Sequence, residues 1–161
     1  MHTTKQLFDL TGRTALITGG SRGLGLQMAE ALGEQGAKLV ISSRKQNELD
    51  EAVAHLKKMG IDVLAIAADL GKEESIKPLA EAAIKHLGHV DILINNASAI
   101  NLTRTEDTPA KRFDLMFDVN VRGTFLASQA AIPYLRESAE AGRNPHILTL
   151  SPPLSMKAKW F

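Results

Sequence analysis

The chain has 161 residues, no cysteine and a formal net charge of +1 at pH 7. This length is typical of one domain, and the lack of cysteine excludes disulfides, thiolate catalysis and cysteine-ligated zinc. The nearly balanced charge gives no electrostatic reason to expect nucleic acid or an anionic membrane as a partner. Because no apolar run is long enough to span a membrane or to form a signal peptide, we predict a cytoplasmic protein.

Short runs rich in Val, Ile and Leu alternate along the chain with longer segments of helical period. The strand-like runs are residues 13–18, 37–42, 62–67, 90–95 and 146–150. The helical segments are residues 23–35, 46–59, 72–87 and 108–141. This alternation is typical of consecutive βαβ units, so we predict an α/β fold with a parallel sheet. A glycine follows each helical segment, where we expect it to end the helix in a left-handed conformation.

The segment TGGSRGLG, residues 18–25, follows the first predicted strand and opens the first predicted helix. Glycines at this point allow a tight turn and close backbone approach, so a pyrophosphate can bind the N–H groups at the helix start. The spacing differs from GxGxxG, and it lacks the Gly-Lys-Ser/Thr ending of nucleoside triphosphate sites. We predict a dinucleotide-binding turn whose coenzyme contacts are Gly19, Ser21, Arg22, Gly23, Leu24 and Gly25.

Further motifs follow this turn in a fixed order. Asp69-Leu70 follows the third strand, NNAS (residues 95–98) ends the fourth, and Asn120 lies on the next helix. Together with TGxxxGxG, these motifs resemble those of the short-chain dehydrogenase/reductase family. The segments NNASAIN (residues 95–101), IPYL (132–135) and HILTLSPPLSMKAKWF (146–161) are similar to the hydroxysteroid dehydrogenase-like group of that family.

The resemblance implies one NADP-binding Rossmann domain over residues 1–161. Its doubly wound parallel sheet would have the strand order 3-2-1-4-5 and would be truncated after the fifth strand. The coenzyme would bind at the carboxyl edge of the strands. There Asp69 and Leu70 would border the adenine, and Asn96 and Ala97 would border the coenzyme beyond the fourth strand.

The residues after the second strand, Ser42-Ser43-Arg44-Lys45, indicate which coenzyme is bound. A dehydrogenase that prefers NAD usually places an acid there to bind the ribose hydroxyls, but Ser43 occupies that position. Arg44 and Arg22 can reach the same region, where two guanidiniums would bind a 2′-phosphate. We therefore predict NADP as the cofactor. The alternative is that Arg44 and Lys45 are solvated loop charges.

The resemblance also implies carbonyl reduction by a tyrosine, a lysine, a serine and a helix asparagine. Asn120 matches the asparagine, and Ser151 is a candidate for the serine, with Ser155 as the alternative. No Tyr-x-x-x-Lys occurs in the sequence, because Tyr134 is its one tyrosine and Ser138 stands four residues later. We therefore expect the amino-terminal part of such an enzyme, inactive by itself.

These observations predict an NADP-dependent oxidoreductase that acts on a small-molecule alcohol or carbonyl substrate. The alternatives are a non-catalytic dinucleotide-binding module or redox sensor, and a methyltransferase. We expect no metal site, because His86 and His89 bracket a glycine at a helix end without a third ligand in view. The apolar helical surface over residues 113–126 is typical of core plus a subunit contact, so we expect a homo-oligomer when the protein is complete.

Overall fold

A computed structural model describes residues 3–151 and contains one five-stranded parallel sheet. Its strands are β1 (Thr14–Thr18), β2 (Lys38–Ser43), β3 (Val63–Ala67), β4 (Ile92–Asn95) and β5 (His146–Thr149). The order across the sheet is β3-β2-β1-β4-β5, and every neighbouring pair is parallel. The predicted doubly wound α/β fold and its strand order are therefore confirmed.

Helices connect the strands. They are α1 (Thr4–Leu7), α2 (Gly23–Glu34), α3 (Gln46–Lys58), α4 (Glu73–Leu87), α5 (Ala110–Phe117) and α6 (Thr124–Glu140), together with a 3₁₀ turn at Thr105–Asp107. The four glycines predicted as helix ends all have a positive φ, so that prediction is confirmed. Within residues 3–151, none of the helices combines the length and the apolar character needed to cross a bilayer.

The predicted helical segment over residues 108–141 is helical over residues 110–140, but a π-helical turn at Asp118–Gly123 separates α5 from α6. Gly123, at the end of this turn, lies against the loop after β3. A Cβ atom at Gly123 would be only 2.5 Å from the carbonyl oxygen of Leu70. This tertiary contact between segments far apart in sequence leaves no trace in the hydrophobic period of the helix.

Both faces of the central strands are buried. Successive strand residues point to opposite faces, so Ile17 and Ile41 pack with α2 and α3, whereas Leu16 and Val40 pack with α4 and α6. This two-sided burial explains why the strands are continuous apolar runs rather than alternating ones. The helices cover the faces of the central strands, whereas the residues of β5 are exposed, and the carboxyl ends of the strands remain accessible.

Candidate functional site

A cleft of about 380 Å³ lies at the carboxyl edge of the sheet. It is bordered by the segments that follow β1, β3 and β4 and by the end of β2, where doubly wound folds bind their ligands. All of the predicted coenzyme residues except Gly25 line it. These lining residues are Gly19, Ser21, Arg22, Gly23, Leu24, Arg44, Asp69, Leu70, Asn96 and Ala97.

The glycines of the turn after β1 have different neighbours. Gly19 has a φ of +66°, and a Cβ atom there would lie 2.9 Å from the Cα atom of Ala97. A Cβ atom at Gly25 would lie 2.1 Å from the carbonyl oxygen of Gly19. Gly19 and Gly25 therefore let protein backbone pack on protein backbone. Gly25 does not line the cleft, and its predicted contact with the coenzyme stays a prediction.

Gly23 differs from these two glycines because it faces open space. Its φ is +55°, and a Cβ atom there would meet no protein atom within 4 Å. Gly23 begins α2, and the residue that caps the helix, Arg22, makes no side-chain capping hydrogen bond. The N–H groups of a first helical turn lack intrahelical acceptors, and the helix dipole favours an anion beside them. This geometry fits a phosphate group placed on the backbone at Gly23.

Hydrogen bonds from β1 and β4 hold the turn in place. The Thr18 hydroxyl donates to the Ile94 carbonyl at 3.2 Å and accepts from the N–H groups of Asn96 and Ala97, both at 3.1 Å. The Asn96 amide donates to the carbonyl oxygens of Thr18 and Gly19 at 3.1 and 3.0 Å. The side chain of Asn96 therefore fixes the turn. Sequence analysis did not single out Thr18, although it directly precedes the first glycine of the turn.

The loop after β3 forms another wall of the cleft. Asp69 accepts a hydrogen bond from the N–H of Gly71 through its carboxylate, at 3.1 Å, and another from the N–H of Lys72 through its carbonyl, at 2.9 Å. Leu70 is buried and packs in the core beneath the loop. The Asp69 carboxylate thus shapes a wall of the cleft and adds a negative charge to it.

Positive side chains lie at the end of the cleft formed by β2. Arg44 and Lys45 follow β2, and Arg22, whose side chain is 79% exposed, faces the same region from the turn after β1. Ser43 stands at the end of β2, where the sequence analysis noted the missing acid. Three cationic side chains therefore lie at this end of the cleft, and β2 places a serine there instead of a carboxylate.

An acid does enter this end of the cleft, from the first turn of α3. The Lys45 ammonium lies 2.8 Å from Oε1 of Glu48, while Arg22 Nε lies 3.8 Å from Oε2 and the Ser21 hydroxyl donates to Oε2 at 3.4 Å. The hydrogen bond from Lys45 is the main cause that lowers the pKa of Glu48, and its partial burial opposes that shift. Glu48 was not predicted from the sequence, although the spacing of three residues between Lys45 and Glu48 at a helix start indicates an ion pair there.

The candidate catalytic residues lie beyond the cleft walls. The Asn120 amide donates to the Ala99 carbonyl and accepts from the Ala99 N–H, both at 2.8 Å, so it holds the loop after β4 on the π-helical turn. Ser151 follows β5 and is the last described residue, whereas Ser155 lies outside the described residues. The catalytic roles of Asn120 and Ser151 stay predictions. In the part of the chain that the structure describes, no group of three His, Asp or Glu residues could hold a metal ion.

The arrangement of a glycine turn, a helix start and a cleft at the sheet edge is matched by a known family. The family model described as short chain dehydrogenase matches residues 13–151. The chain belongs to this family. Hydroxysteroid dehydrogenase-like protein 2 of Homo sapiens is 44% identical to this chain over 159 residues, which covers 94% of the chain and 37% of the relative. The predicted resemblance is confirmed, and the chain spans 37% of the length of this relative.

Solved structures of other short-chain dehydrogenases have the same fold. One from Mycobacterium thermoresistibile has a TM-score of 0.83 and 38% identity, and the match covers 94% of this chain and 55% of that one. One from Burkholderia cenocepacia, in complex with NADP, has a TM-score of 0.75 and 34% identity, covering 79% of this chain and 52% of that one.

Proposed function

We propose that the cleft binds NADP(H) and that the protein is an oxidoreductase acting on an alcohol or carbonyl substrate. The observation that carries this proposal is the set of cations at the end of β2, where Ser43 replaces the acid that suits NAD. Arginine guanidiniums bind phosphate oxygens through two hydrogen bonds, so Arg22 and Arg44 suit a 2′-phosphate. The NADP complex of the Burkholderia cenocepacia relative supports the same coenzyme.

The remaining cleft residues fit the other parts of the coenzyme. The exposed backbone at Gly23 suits the pyrophosphate, and Thr18 and Asn96 hold the turn that presents this backbone. The Asp69 carboxylate is available to the adenine side. When bound, NADP(H) gives or accepts the hydride. The protein side chains supply binding and orientation, which is the usual division of work in coenzyme-dependent enzymes.

Two residues are proposed to act on the substrate side. Asn120 uses its amide to fix the backbone of Ala99, so we assign it a positioning role beside the reaction site. Ser151, at the end of β5, is proposed to orient the substrate oxygen. The 161 residues contain no Tyr-x-x-x-Lys, so we expect them to bind coenzyme without reducing carbonyls at a useful rate. A positioned general acid typically contributes about 10²–10⁴-fold to such a reaction.

A second candidate function is coenzyme binding without catalysis, as a dinucleotide-binding module or redox sensor. The absence of Tyr-x-x-x-Lys from the sequence favours it. Two proteins are assayed for NADPH oxidation over a panel of carbonyls: the chain alone, and a longer product that includes any coding sequence downstream of it. This comparison separates the two candidate functions. Turnover in the longer product supports the enzyme, whereas coenzyme binding without turnover in both supports the module. A homo-oligomeric state and a cytoplasmic location remain predictions.

The proposed coenzyme choice is tested by Arg44→Asp. Losing a charge-assisted contact of roughly 1.5–3 kcal/mol should weaken NADP⁺ binding at least about tenfold, because about 1.4 kcal/mol is tenfold in affinity. NAD⁺ binding should change little. Titration calorimetry gives both constants, and Arg136→Asp, an exposed arginine of α6, serves as the charge-matched control. Equal weakening of both coenzymes would show that Arg44 does not bind the 2′-phosphate.

A further inference from the structure

Glu48 occupies the region where the proposed function needs positive charge. Its carboxylate contacts side chains from both turns that border this end of the cleft, namely Lys45, Arg22 and Ser21. The side chain of Glu48 is only 22% exposed, so the carboxylate lies between these groups and not in open solvent. The carboxylate thus accepts hydrogen bonds from Lys45 and Ser21, two donors that are also within this region of the cleft for a phosphate.

Capping of α3 does not explain this position. The residue that caps α3 is Lys45, and no side chain makes a capping hydrogen bond there. Glu48 lies in the first turn, where a negative charge suits the helix dipole, but its carboxylate oxygens contact an ammonium, a guanidinium and a hydroxyl. The observed partners of Glu48 are thus side chains that line the cleft, Ser21, Arg22 and Lys45.

Side chains of both charges line the cleft, and their balance affects which ligand binds. In the described part of the chain, three cations line it, Arg22, Arg44 and Lys45, and two carboxylates, Glu48 and Asp69. A phosphate monoester carries a charge of about −1.5 to −2 at neutral pH. A 2′-phosphate that binds Lys45 must displace the Glu48 carboxylate, and it then remains close to that negative charge. The 2′-hydroxyl of NAD⁺ carries no charge and meets neither cost.

We propose that Glu48 is an internal competitor of the coenzyme 2′-phosphate for Lys45 and Ser21, and that it limits the preference for NADP over NAD. This inference rests on the proposed function, because it concerns the same cleft. Lys45 then becomes a further ligand of the 2′-phosphate. The hydrogen bond from Lys45 lowers the pKa of Glu48, which agrees with a favourable contact between this carboxylate and the Lys45 ammonium.

Glu48→Gln tests the proposal because glutamine keeps the size of the side chain and one acceptor oxygen and removes its charge. We expect NADP⁺ to bind about threefold to fivefold more tightly, as for a solvent-screened charge interaction. NAD⁺ affinity should change less than about twofold. Glu51→Gln removes the same charge from an exposed position of the same helix, and we expect neither affinity to change. Circular dichroism checks that both variants are folded.

A double-mutant cycle with Lys45→Ala tests the shared partner. Lys45→Ala should weaken NADP⁺ binding, and Glu48→Gln should give less than half of its gain in that background, because the contested cation is gone. The same gain in both backgrounds would overturn the competition for Lys45. Because the cycle compares the ratio of NADP⁺ affinities with and without the Glu48→Gln change, it tests the proposal even if one variant is less stable.

The outcomes separate this inference from the proposed function. If the unaltered chain binds NADP⁺ but Glu48→Gln binds it equally or more weakly, Glu48 is a bystander or a positioning residue, and only this inference is wrong. An equal gain in Glu51→Gln would mean that net charge is the cause, which also overturns it. If the unaltered chain binds neither coenzyme, both the proposed function and this inference are wrong.

Discussion

Two glycines of the turn after β1, only two residues apart, serve different neighbours. A Cβ atom at Gly25 would overlap the Gly19 carbonyl oxygen at 2.1 Å, whereas one at Gly23 would meet no protein atom within 4 Å. Gly25 is therefore required by the fold. At Gly23 the fold requires only the positive φ of +55°, and the open space beside it suits the proposed ligand.

This difference predicts that two alanine substitutions lower stability by different amounts and differ in their effect on coenzyme binding. Gly25→Ala should destabilise the chain by at least about 2 kcal/mol, because backbone must shift to relieve the overlap. Gly23→Ala should cost only about 1–2 kcal/mol of unfolding free energy, the cost of a left-handed residue, and should weaken NADP⁺ binding. Urea unfolding measures the first effect and titration calorimetry the second. If Gly23→Ala bound NADP⁺ as the unaltered chain does, the phosphate would not lie on that backbone.

At the scale of elements, the π-helical turn joins the loop after β4 to the helices on either side of it. Asn120, within this turn, makes two hydrogen bonds to the backbone of Ala99. Asn120→Ala should lower the free energy of unfolding by about 1 kcal/mol per lost hydrogen bond at most, because water can replace the amide at this exposed site. The loop should open more often.

Hydrogen exchange measures the opening directly. We expect faster exchange of the Ala99 N–H in Asn120→Ala, with the amides of β1 unchanged, and Asn47→Ala in α3 is the exposed control. Unchanged protection of the Ala99 N–H would show that the loop does not depend on Asn120, and the positioning role would be wrong.

The strands were predictable from the sequence because they are short apolar runs, whereas their order and most of the cleft walls were predictable only through the resemblance to the family. The apolar runs and glycines identified β1 and the turn after it. The π-helical turn was not predictable, because it lies where Gly123 approaches Leu70 across the fold. The direction of the Asn96 amide and the presence of Glu48 in the cleft also depend on tertiary contacts. Sequence order alone does not encode these contacts.

At the scale of the whole molecule, an apolar surface runs along α5 and α6. The rings of Phe113 and Phe117 stack with their centroids 4.4 Å apart, and each side chain is about half exposed. Val121 and Phe125 continue this surface. Of the expected core and subunit contact, these four residues therefore do not belong to the core. The predicted subunit contact would cover it.

The central claim for the whole molecule is that one cleft binds a dinucleotide and selects it by the 2′-phosphate. Residues from the segments that follow β1, β2, β3 and β4 line this cleft, so binding reports on the sheet edge that these four strands form. We propose that the selectivity arises from the cations at the end of the cleft formed by β2. NADP⁺ and NAD⁺ differ only in the 2′-phosphate, so comparing their affinities reports on the end of the cleft formed by β2 and not on the remainder of the cleft.

Titration calorimetry of the unaltered chain with NADP⁺ and with NAD⁺, in one buffer at one salt concentration, is the most direct test. We expect one site per chain and a dissociation constant for NADP⁺ at least about tenfold below that for NAD⁺, as one or two charge-assisted contacts provide. The preference should shrink as salt is added, because exposed charges are screened. Equal affinity for the two coenzymes, tighter binding of NAD⁺, or no binding of either would contradict the account.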